Sequence, residues 1–215
     1  MNRRNGFRQL GTVAFLALAA GLTAPPAVFA QSIIEEWATV QAPPPPPVER
    51  VAVEPATTAL LVLDLAKQTC NAQQRPRCVA MVPRLGKLLA LARNKDLLVV
   101  YSLGPASSPA DILPEVAMLG SEPVVKSGPD KFVATDLEKI LRDKGVKTVI
   151  AVGTSAHGAL LHTAAGAAFR GFNVIVPVDG MASEMLYAEQ YTAWDLVNGP
   201  RLADKVKLTK IDMIE

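Results

Sequence analysis

The chain has 215 residues, 50% hydrophobic and 20% charged, with 22 Lys and Arg against 20 Asp and Glu, a balance that excludes a disordered or fibrous protein. Arg3, Arg4 and Arg8 are the only charges in residues 1–30, so without that segment 19 basic residues face 20 acidic ones and the formal net charge is −1. No Lys/Arg cluster remains to neutralise a row of phosphates or to hold a basic helix on a membrane surface, which argues against nucleic acid as a partner.

The three arginines precede an uncharged run, residues 11–24, too short for a bilayer that needs about 20 apolar residues. Val28 and Ala30 are small residues ahead of a plausible cut before Gln31, so residues 1–30 are expected to be a signal peptide. Phe7 stands one residue too far along for Arg3-Arg4 to form a good twin-arginine signal, which favours the general export pathway. The mature protein is then exported, periplasmic or secreted, with no membrane span after cleavage. Residues 31–57 are polar and Pro-rich and include five consecutive prolines at 43–47, which lack backbone donors and favour a stiff polyproline II rod. This linker is expected to hold nothing in a core and to act as a spacer.

From Thr58 to the C-terminus, apolar β-rich runs alternate with helical patterns, implying one domain over residues 58–215. The predicted strands are residues 59–63, 97–102, 123–126, 147–152, 173–178 and 205–210. Several are apolar throughout, as strands covered on both faces must be. Val79, Val82, Leu85, Leu89 and Ala92 recur at helical spacing. Thr135 with Glu138 forms a predicted capping box, and Gly145 is expected to end that helix. A small-residue helix is predicted over residues 156–170, and a fourth opens with Ser183 as its N-cap. The expected fold is a three-layer α/β/α arrangement around a mainly parallel, about six-stranded open sheet of Rossmann-like type, with ligands beyond the carboxyl ends of the strands.

That position singles out Asp64 after the first strand, Lys126 after the third, and residues 153–159 after the fourth. A carboxyl group at the end of an apolar strand is partly desolvated, which raises its pKa, while a nearby ammonium lowers it, so Asp64 and Lys126 together could trade or hold a proton. A structural ion pair or an N-cap fits the same positions equally well.

The apolar run ending at Asp64, the spacing from Lys126 to Phe132, Gly153 through Thr163-Ala164, and Gly171-Phe172-Asn173-Val174 followed by Asp179 together resemble the isochorismatase-like cysteine hydrolase superfamily. The resemblance covers the whole domain. It implies an Asp, Lys, Cys triad that falls on Asp64, Lys126 and Ala159, and a methyl group at Ala159 cannot attack a carbonyl. A nicotinamidase-type metal site is not expected either, because residues 101–120 contain no His and only His157 and His162 occur in the chain. The segment Ala156-His157-Gly158-Ala159 is similar to the isochorismatase branch proper, which uses Asp and Lys without the Cys. There the Asp protonates a vinyl ether carbon, water adds to the oxocarbenium, and pyruvate leaves. The resemblance thus implies Asp64 as general acid/base, Lys126 as its cationic partner, Gly153, His157 and Gly158 as substrate-binding residues, and amides of Gly158 and Ala159 as anion donors. It implies no cofactor, a small carboxylate-bearing substrate, and a homo-oligomer. Where that family usually has a Gln two residues after the Asp, this chain has Ala66. His162 is expected in a core or interface.

Cys70 and Cys78 stand eight apart in a polar loop, and an oxidising compartment favours their pairing. Such a bridge contributes about 2 to 3 kcal/mol if unstrained. The other reading makes Cys70 a displaced nucleophile with Arg75 or Arg77 lowering its pKa. At the level of function two readings stand: an exported hydrolase without a covalent intermediate, or a catalytically inactive relative that binds a ligand or protein through the same crevice.

Overall fold

The computed structural model describes residues 32–215, so the expected signal peptide and its cut lie outside the described residues. Residues 32–43 belong to a separate unit with one helical turn, α1 (Ile33–Glu36), where Glu35 accepts from the Ser32 amide. Ile33, Ile34, Trp37 and Val40 are all exposed there.

The second unit, Pro44–Glu215, is built on β1 (Thr58–Leu63), β2 (Leu98–Leu103), β3 (Val124–Lys126), β4 (Thr148–Thr154), β5 (Asn173–Pro177), β6 (Met181–Ala182) and β7 (Val206–Thr209). Every pairing is parallel, in the order β3-β2-β1-β4-β5-β7, with β6 against the end of β4. The predicted strands are all present. β6 has two residues and no periodicity to betray it.

Alternation within the apolar runs assigns side chains to two cores. Ala59, Leu61 and Leu63 face one layer with Val149, Ala151, Val174 and Val176, while Leu60 and Val62 face the other with Ile150, Val152 and Ile175. Both faces are sealed, so neither residue parity can be polar. α2 (Pro76–Asn94) covers the second face through Met81, Val82, Leu85, Leu88, Leu89 and Ala92. α3 (Leu137–Asp143), α4 (Leu161–Phe169) and α5 (Leu186–Asn198) cover the first. Small side chains on α4, Ala164 and Ala167 at 0% exposure, let its backbone sit close to the sheet.

Three local expectations change. Thr135 and Glu138 form no capping box: Thr135 Oγ1 donates to the Lys131 carbonyl and accepts from the Leu137 amide, while Glu138 pairs with Arg142 and Arg170. Ser183 lies short of α5, whose N-cap is Met185. The end of the linker is not free of the core. Glu49 and Val51 donate to the carbonyls of Leu208 and Met213, Val53 and Glu215 bond across the same edge, and Val51 is buried. An apolar residue at every second position, Val51 and Val53, ties that stretch to the β7 side. Gly145 does end α3 with φ +68°, as a left-handed residue should. Among the described residues no helix is long and apolar enough to cross a membrane.

Candidate active site

β1 delivers Asp64 to the carboxyl edge of the sheet between β2 and β4. Its backbone has φ +54°, a left-handed conformation that Asp tolerates better than most side chains. Thr69 Oγ1 donates to the Asp64 carbonyl and helps hold that turn. On the next strand, Leu63 pairs in register with Gly153. A Cβ on Gly153 would lie 2.0 Å from the Leu63 carbonyl oxygen, and φ there is +131°, so only glycine lets the two strands close up beneath the site.

The Asp64 carboxylate accepts on both oxygens. Ser102 Oγ, one residue short of the end of β2, donates to Oδ1 at 2.9 Å, and Lys131 Nζ donates to Oδ2 at 2.7 Å. Lys126 is not the partner. It occupies the end of β3 opposite Leu103, where only Val125 of that strand turns inward, so its side chain is exposed and it forms no ion pair among the described residues. The chain then folds back: Ser127 Oγ donates to the carbonyls of Asp130 and Val133, and the Lys131 amide donates to Thr163 Oγ1 on α4 at 3.2 Å. This brings Lys131 under the sheet end with 1% of its side chain exposed. Nζ also donates to the Ser127 carbonyl at 3.1 Å, which leaves one of its three N–H groups uncommitted among the described residues. Lys131, Ser102 and Ser127 had no signal in the sequence beyond position in a loop or strand end, and Thr163 stood in the stretch that carries the resemblance without a role assigned to it.

After β4 the chain makes a wide π-helical turn, Ala156–Leu160, and enters α4. Ala159 sits in it and is buried. The Gly158 amide is already bonded to the Ser155 carbonyl at 3.0 Å, so it is not available as an anion donor. His157 is partly exposed, and its Nδ1 lies 2.9 Å from Ser183 Oγ, which also donates to Glu184 Oε2 at 3.0 Å. His162 is exposed rather than in a core, with Nδ1 2.8 Å from the Gly158 carbonyl.

Cys70 and Cys78 are bonded to each other and buried, which removes Cys70 as a nucleophile in this state. The loop they close carries Arg75 and Arg77 to acidic partners. Arg75 pairs with Glu184 at 3.0 Å, and Arg77 grips Glu189 through two bonds of 2.8 and 2.5 Å. Glu189 in turn accepts the Ser183 amide. Glu184 is pulled down to about 2, first by a bond from its own backbone amide, then by Arg75 and Ser183, against the opposing effect of burial. Arg77 is held above the ordinary arginine value by its bond to Glu189.

The isochorismatase domain matches residues 58–204. The chain belongs to the isochorismatase family. It is 31% identical over 159 residues to the isochorismatase family protein YecD of Escherichia coli O157:H7, covering 63% of this chain and 84% of that one. It is 34% identical over 110 residues to the secreted isochorismatase effector Isc1 of Verticillium dahliae, 46% of this chain and 58% of that protein's length. An isochorismatase-like hydrolase from Alkaliphilus metalliredigens shares the fold, with a TM-score of 0.65, 23% identity, and coverage of 73% of this chain and 95% of that one. Within this isochorismatase-family frame, the polar groups on the Asp64 carboxylate come from β2 and from the loop before α3.

Proposed function

We propose that the protein is an exported isochorismatase-family hydrolase that cleaves a small carboxylate-bearing vinyl ether, with isochorismate as the first substrate to test, and that it uses no covalent intermediate. The 2.7 Å bond between Lys131 Nζ and Asp64 Oδ2, almost out of water, carries the reading. Ala159 supplies no nucleophile, so the proton chemistry must do the work. The pair holds one transferable proton that can move along the short bond and be delivered by Asp64 to the vinyl carbon. The carboxylate left behind then faces the cationic oxocarbenium, a charge stabilisation that grows in a dry site. Export is supported by the sequence of residues 1–30 and by the likeness to a secreted Verticillium relative.

The test is pyruvate release from isochorismate by protein beginning at Gln31. Asp64→Asn is expected to abolish it, Lys131→Met to lower it by about 10²-fold or more, and Lys126→Met to leave it within about twofold. Activity that survives Asp64→Asn overturns the assignment. The methyl group at Ala159 favours a second reading, a binding module on a hydrolase fold, which predicts thermal stabilisation by isochorismate with no product.

A further inference from the structure

Ser183 sits between two neighbours that cannot both receive its proton. Its hydroxyl has one hydrogen, and Glu184, pulled down to about 2, is a carboxylate that can only accept. The Ser183 proton therefore goes to Glu184, and the 2.9 Å contact with His157 must be donation from Nδ1–H to Ser183 Oγ. This fixes neutral His157 as the Nδ1–H tautomer, with its basic lone pair on Nε2. The anchors behind it are firm. The Ser183 amide is bonded to Glu189, which Arg77 holds, and Glu184 is held by Arg75. Nε2 lies 3.9 Å from Glu184 Oε1, so a proton taken up there meets a negative charge. His157 follows Gly153, the in-register partner of Leu63, and Asp64 follows Leu63. Both therefore rise from the same end of the two central strands.

We propose that His157 Nε2 is the base that takes the proton from the attacking water, with Ser183 and Glu184 as positioning residues; this rests on the vinyl ether reading above. The step balances. The Asp64–Lys131 pair gives its proton to the vinyl carbon, water bonds to the oxocarbenium carbon, and one water proton passes to Nε2. The bond from that carbon to the ether oxygen then breaks as Nε2–H protonates the departing alcohol, while the remaining hydroxyl proton returns to the Asp64–Lys131 pair as the ketone forms. One water is consumed, and His157 and the pair regain their starting states. The charged and titratable groups around the imidazole are Glu184 and Arg75 at its edge, Glu189 and Arg77 through the Ser183 amide, and His162 across the Gly158 carbonyl.

Two measurements test this. Long-range ¹⁵N–¹H correlation spectra of the protein beginning at Gln31, above the imidazole's titration, should show His157 protonated on Nδ1, and Ser183→Ala should move it toward the Nε2–H form; an Nε2–H wild type overturns the proposal without any substrate. With isochorismate, His157→Gln should lower kcat/KM by about 10²-fold or more and change its pH profile. A His157→Gln enzyme with wild-type rate and pH profile, alongside an inactive Asp64→Asn, overturns the role of His157 and leaves the Asp64 reading intact. Absence of turnover in the wild type overturns both.

Discussion

A lysine with 1% of its side chain in contact with water keeps its charge only where other groups replace the solvent it has lost. At Lys131 these are the Asp64 carboxylate and the Ser127 carbonyl. Lys131→Met strands a buried carboxylate, and urea unfolding should show a loss of about 3 to 5 kcal/mol. Lys126→Met should change stability by no more than about 0.5 kcal/mol. The contrast between these two lysines also marks the limit of reading the site from sequence. Asp64 was legible because an apolar run buried on both faces can only end with its carboxyl edge at the crevice. Lys126 met the same positional criterion. Its exclusion depends on how residues 127–131 fold back, and on a hydroxyl from α4 at Thr163 that catches the Lys131 amide. No local pattern encodes either. Gly153 is a residue whose identity the strand spacing does dictate, and Gly153→Ala should destabilise by more than about 2 kcal/mol, checked by the same unfolding experiment.

At the scale of elements, the loop from Asp64 to α2 is a clamp with two kinds of fastening. The disulfide joins Cys70 in the loop to Cys78 in the first turn of α2, and Arg75 and Arg77 fasten the junction to Glu184 and Glu189 before and within α5. Replacing Cys70 and Cys78 together by Ser should cost about 2 to 3 kcal/mol, and reductant should lower wild-type stability by the same amount while leaving the double variant unchanged. Acid adds a separate signature. Glu184 titrates lower in the folded chain than its ordinary 4.5, so its contribution is fully present above that value and is lost as pH falls toward about 2. Stability curves of wild type and Glu184→Gln should therefore converge over that interval and run parallel above it. The cysteine pairing was legible from the eight-residue spacing and the expectation of export, but the partners of Arg75 and Arg77 were not, since they lie more than a hundred residues away. Ser183 looked like a helix cap because its residue type suits one. Its hydroxyl is instead committed to His157 and Glu184, and the helix opens later.

For the whole molecule, the alternation of apolar runs and helical stripes was enough to anticipate a parallel three-layer sheet, because two-sided burial leaves a continuous hydrophobic signature in each strand. The packed body nevertheless starts before the first predicted strand. Residues 49–53 pair with the β7 edge and the C-terminus through Glu49, Val51 and Val53. Protein beginning at residue 54 should melt several degrees lower by calorimetry than protein beginning at residue 44. Sealing Lys131 beneath the sheet has a further consequence for the whole protein. Dissolved ions weaken attractions they can surround, as at the exposed Arg50–Glu215 contact, but they cannot enter between Lys131 and Asp64. The central attraction should thus be indifferent to brine, and turnover should hold steady from dilute to concentrated electrolyte while the rim contacts loosen.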